Sequence, residues 1–138
     1  MADDGLLDEM QALRDRVTGI TGAAVASRDG LIIKADVDGV SPDNLAALAA
    51  AWLGVAQRMA SEAGQGVLRE AVTRSSGGYV AIYAVGPTAV LLLTGDEGLD
   101  VGRLHRESRT AVENIEVLLA SAGPRPGMFR PASQYGQL

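Results

Sequence analysis

The chain has 138 residues, a formal net charge of −5 and no cysteine. That length suits one domain with short tails rather than two independent cores. The missing thiols exclude disulfides and thiolate metal or redox sites, and the acidic balance argues against nucleic acid or an anionic membrane as the main partner.

The start, MADDGLLDEM, is acidic where a secretory leader would be basic. The longest apolar run, Leu45 to Ala56, is too short and too alanine-rich to span a bilayer. A cytoplasmic protein without membrane insertion is therefore expected. Residues 1–5 read as a lead, 6–123 as one domain, and 124–138, with three prolines and no period, as a flexible tail.

Leu6, Met10, Leu13 and Val17 recur at helical spacing, so a first amphipathic helix is expected from Leu6 to Thr18. Gly22 to Arg28 and Leu31 to Val37 flank Asp29-Gly30, a strong hairpin signal. Ser41, Pro42 and Asp43 then open a second helix reaching about Gly64, through a cap, a preset φ and a favourable charge at the helix start. Val67 to Arg74, interrupted by Arg69, Glu70 and Arg74, suits an edge strand. Tyr79 to Val85 and Ala89 to Thr94 complete a three-strand meander, and Asp100 caps a last helix with Leu104, Val112, Ile115, Leu118 and Leu119 as its apolar positions, ending at Gly123. The expected class is α/β (α+β): a five-stranded antiparallel sheet with helices on both faces.

The second helix is apolar all round. Leu45, Leu48, Ala49, Trp52, Ala56, Met59 and Ala63 form the stripe expected to face the core. The far side carries Ala47, Ala50, Ala51 and Gly54, with Ala46 and Leu53 on the flank, and Arg58 is the one charge between Leu45 and Ala60. Such a helix needs cover on two sides, and small residues let another helix approach closely. A second copy of the chain is the expected cover, over Ala47, Ala51, Gly54 and Arg58, with Ala50 beside them.

Signatures of chemistry are absent or incomplete. His105 is the single histidine, which excludes a multi-imidazole metal site, and it is expected on the helix surface. Asp36 to Asp43 begins like a calcium loop, but its glycine comes two positions early and Ala47 stands where the bidentate glutamate belongs. Gly95, Gly98 and Gly102 are spaced like a phosphate loop, yet Asp96, Glu97 and Asp100 would repel phosphate. Arg58 as an arginine finger in trans is disfavoured against a structural role. Arg103, Arg106 and Arg109 form a basic run that is either a partner surface or, with Glu107 one turn after Arg103, a salt-bridged solvent face. No catalytic residue, cofactor or metal is expected.

The element order, with GITGAAVASRDGLIIKAD, the alanine-rich second helix and SSGGYVAIYAVGPTAVLLLTGDEGLDVGRL, resembles the roadblock/LC7 family over roughly Leu6 to Ala122. Among its members it is most similar to bacterial ones encoded beside Ras-like GTPases, including those of actinobacterial gene clusters and the partner of the gliding-motility GTPase. The resemblance implies a profilin-like αββαβββα fold that homodimerises, second helix on second helix, with third strands pairing through the segment around Arg69 and Ala71. It also implies a non-enzymatic adaptor that binds a Ras-like small GTPase and in some members accelerates hydrolysis, with no catalytic side chain of its own. Two other classes stand beside it: a scaffold that touches no GTPase, and a small-molecule sensor holding a ligand between sheet and helix.

Overall fold

The structure is a computed structural model that describes residues 2–122. Its elements are α1 (Ala2–Arg16), β1 (Ile20–Ser27), β2 (Ile32–Asp36), α2 (Pro42–Glu62), β3 (Glu70–Ser75), β4 (Gly78–Val85), β5 (Ala89–Gly95) and α3 (Val101–Ala122). The first helix begins at Ala2 rather than Leu6, so residues 2–5 of the expected lead are helical. The expected tail, 124–138, and the stop at Gly123 lie outside the described residues.

All five strands join one antiparallel sheet in the order β2-β1-β5-β4-β3. The crossover through α2 sets β5 beside β1, so the two hairpin groups share a centre, and β2 and β3 form the edges. The β1–β2 turn is not the two-residue form that Asp-Gly alone would suggest. Ser27 N–H donates to Leu31 O, Gly30 N–H donates to Ser27 O, and the register slips between Val25 and Ala26. Gly30 has φ 90°, the left-handed residue that closes such a bulged turn at little steric cost.

Strand alternation sorts side chains into two cores. On one face Val25, Tyr83, Leu91 and Leu93 meet Leu6, Met10 and Leu13 of α1, Val17 just after it, and Leu104, Ala111 and Ile115 of α3. Each large apolar side chain buried there contributes about 1.5–3 kcal/mol from water removal. Ion pairs sit at the margin: Arg14 to Asp36 at 2.8 Å and Arg16 to Glu107 at 2.9 Å. The second pair corrects the expected Arg103–Glu107 contact, because α1 packs alongside α3 and presents Arg16 to Glu107 first.

The other face carries Ala24, Ala26, Ile82, Val90 and Leu92 beneath α2. Ser41 Oγ accepts from Asn44 N–H at 3.2 Å and Pro42 opens the helix. At the far end Gln65 N–H donates to Ala60 O and Gly64 N–H to Ser61 O, with Gly64 at φ 72°, a paired arrangement that uses up the last carbonyls. Gln57 then fixes the following loop, accepting from Leu68 N–H at 2.9 Å and donating to Gly66 O at 3.0 Å.

Candidate functional site: the outer face of α2, the β3 edge and the α3 groove

The rotation of α2 differs from the sequence reading. Ala46, Ala49 and Leu53 are buried on the sheet, while Leu48 and Met59, expected in the core, are each 67% exposed and Val55 is 59% exposed. The cause is the floor. Ala24 and Ala26 lie in it beside Ile82, Val90 and Leu92, and Ala46, Ala49 and Leu53 complete that cluster, which leaves Leu48, Val55 and Met59 turned out. Trp52 and Leu45 remain half-buried at one flank.

Ala47, Ala51, Gly54 and Arg58 are exposed, next to Leu48, Val55 and Met59. A Cβ built on Gly54 would meet nothing within 4 Å among the described residues. Ala50 is half-buried and leans toward the β1–β2 turn, its Cβ 3.6 Å from where a Cβ on Gly30 would lie. The outer face is thus a band of apolar side chains carrying one cation, larger than the alanine stripe in the sequence suggested. Leu48, Val55 and Met59 are the residues sequence reasoning missed on it. Their signal was the phase of Ala46, Ala49 and Leu53, which an all-apolar helix conceals.

At the sheet edge, β3 pairs with β4 alone. Arg69 and Glu70 are exposed, Ala71 is half-buried on the α2 side, and Val72 packs on the α3 side. One row of β3 backbone groups has no strand opposite it among the described residues.

Between β3 and α3 runs an open groove of about 990 Å³, lined by Arg28, Arg69, Glu70, Tyr83, His105 and Arg109 among others. His105 is not the free surface residue expected from its helix. Its Nδ1 lies 2.7 Å from Tyr83 Oη and 3.1 Å from Glu70 Oε2, because α3 runs above β4 and position 105 overhangs toward the edge strand. Burial holds the Tyr83 phenol well above the usual tyrosine range; the nearby Ser108 hydroxyl works against this and the Glu70 charge adds to it. Ser108 itself is fully buried on the stripe Leu104, Ser108, Ala111, Ile115, where an apolar residue is the norm, and its Oγ makes no hydrogen bond of good geometry.

Of the three arginines in the basic run, Arg109 lines this groove, whereas Arg103 and Arg106 are exposed outside it. None of the three has an acidic partner within 4 Å among the described residues. The acidic glycine loop satisfies itself: Gly98 N–H donates to Asp96 Oδ1 at 2.8 Å and Arg103 N–H to Asp100 Oδ1 at 3.0 Å. Among the described residues no group of three histidines, cysteines or carboxylates gathers, and no helix is long and apolar enough to cross a membrane.

The Roadblock/LC7 domain matches residues 6–94, well over half the chain. The chain belongs to the roadblock/LC7 family. Among solved structures it is similar to the gliding protein MglB of Thermus thermophilus at TM-score 0.78 and 17% identity, covering 88% of this chain and 93% of that one. A roadblock/LC7 domain from Streptomyces avermitilis superposes at TM-score 0.72 with 24% identity, over 78% of this chain and 91% of that one. An uncharacterised protein of Methanocaldococcus jannaschii is 27% identical over 114 residues, 82% of this chain and 99% of its own length. The roadblock arrangement found here, three helices about a five-stranded antiparallel sheet, is profilin-like, as the expected αββαβββα order implied.

Proposed function

We propose that this roadblock/LC7 protein is a non-enzymatic, cytoplasmic, homodimeric adaptor that binds and regulates a Ras-like small GTPase. The observation that carries the reading is the outer face of α2. Leu48, Val55 and Met59 stand in water beside Ala47, Ala51 and Gly54, a patch that monomers seldom expose, and its small residues suit close helix-on-helix packing. A two-fold axis through this face sets α2 against its copy and brings the β3 edges, with Arg69 and Ala71, toward each other. Arg58, the lone cation of the face, sits at the rim of that contact. Family membership supports the choice of a GTPase as partner, as does the set of chemistry-bearing residues, which gathers no nucleophile, base and oxyanion donor in one place among those described.

Affinity capture from a lysate on the immobilised protein, with GDP or a non-hydrolysable GTP analogue present, tests the partner. Enrichment of a small GTPase under one nucleotide condition is expected. Equal, background-level recovery under both would overturn the GTPase reading and leave a scaffold.

A further inference from the structure

The groove between α3 and β3 lies on the opposite side of the sheet from the α2 face, and of its lining the adaptor reading uses Arg69 alone, at the β3 edge. Its chemistry is lopsided toward donors. Arg28, Arg69 and Arg109 line it, and none has a carboxylate within 4 Å among the described residues. Arg28 spends Nη2 on Gly86 O at 2.8 Å, but its Nε is buried without an acceptor. A buried donor left unmatched is rare in folded proteins, and this one belongs to a residue of the groove lining.

The acids present do not cancel these cations. Glu70 is turned to His105 at 3.1 Å, and Glu113 stands exposed on α3. Val67, Val112 and Pro87 supply apolar wall between the charges. A volume of about 990 Å³ lies at the top of the range for small-molecule pockets, and the groove is open rather than enclosed. An extended chain fits that shape better than a compact anion does.

We infer that the α3–β3 groove docks an acidic, partly apolar extended segment of a partner protein. Carboxylates of the segment pair with Arg28 and Arg109, and its apolar side chains lie on Val67 and Val112. The inference needs a protein partner but not a GTPase, so the affinity capture above and the titration below fail independently.

The test is a titration of the full-length, isotope-labelled protein with a short synthetic peptide of alternating glutamate and leucine, followed by NMR. A peptide of the same length with lysine in place of glutamate is the control. Saturable shifts at the Arg28 and Arg109 side-chain Nε–H groups and at the Ser108 amide are expected with the acidic peptide, weakening as salt rises. Arg109→Glu, an exposed and unpaired position, should weaken binding about tenfold or more, whereas Arg103→Glu, on the same helix outside the groove, should leave it within about twofold. The inference is overturned if the groove resonances stay put, if the lysine-leucine peptide binds equally well, or if Arg103→Glu is as damaging as Arg109→Glu. Inorganic phosphate that reproduced the same shifts at the same concentration would also overturn it, assigning a small-anion site instead.

Discussion

Tyr83 on β4 and His105 on α3 place Oη and Nδ1 2.7 Å apart, with the two rings edge to face at 72°. This contact joins the helix layer to the sheet beside the edge strand, and Glu70 extends it onto β3. Replacing Tyr83 with phenylalanine keeps the packing and removes the bond, so unfolding by denaturant should show a loss of about 0.5–1.5 kcal/mol. No measurable change would mean that Glu70 alone holds His105.

The same tyrosine gives a pH dependence whose sign follows from burial. Its folded pKa is raised, so the neutral phenol is the favoured form in the native state. The unfolded chain begins to lose this proton near pH ~10 while the folded one keeps it, so stability is intact below that pH and falls as pH rises above it. Stability measured across this alkaline range should decline less steeply in Tyr83→Phe than in the wild type. Identical slopes would contradict the burial argument.

Arg16 donates to Glu107 at 2.9 Å and lies 3.9 Å from Glu9, bridging α1 and α3. Arg16 and Glu107 are roughly a third exposed, so solvent screens their pair. Arg16→Ala should cost about 0.2–1 kcal/mol at low salt and less at high salt, read by thermal denaturation. A loss that did not respond to salt would point to packing by the arginine stem instead.

Gly64 closes α2 at φ 72° with no atom within 4 Å of where a Cβ would stand. Gly64→Ala therefore tests backbone strain without a steric clash, and should destabilise the protein by about 1–2 kcal/mol. An unchanged denaturation midpoint would mean that this end of α2 frays at no cost.

Much of the fold was legible because it rests on local signals: the Asp29-Gly30 hairpin, the Ser41-Pro42 helix start and the 3.6-residue period of α1 each act within a few residues. The phase of α2 was not. Where every side of a helix is apolar, the polar residues that normally mark the outside are missing, and the choice falls to the sheet, here to the floor of Ala24, Ala26, Ile82, Val90 and Leu92. His105 and Ser108 were opaque for a different reason. Their partners and neighbours lie on β3 and β4, distant in sequence, so a helix-surface assignment for His105 was the natural local reading and the wrong one. Ser108 is fully buried beside Leu104 and Ala111, a place its residue type does not announce, because serine is ordinarily exposed.

In the proposed assembly a second copy of the chain covers the outer face of α2, and Gly54 is the position that isolates that contact. Because a Cβ there meets nothing within 4 Å among the described residues, Gly54→Glu should fold normally as a protomer yet place two carboxylates near the two-fold axis, at a cost of roughly several kcal/mol for the pair. Val55→Asp should act the same way from the centre of the exposed apolar band, while Ala50→Ser, half-buried beside the Gly30 turn, should change little. The deciding measurement is sedimentation velocity at micromolar concentration, with circular dichroism as the check on folding. The wild type and Ala50→Ser should sediment as dimers and the two acidic variants as folded monomers. A wild-type monomer, or a Gly54→Glu protein that remains a dimer of unchanged stability, would contradict the account.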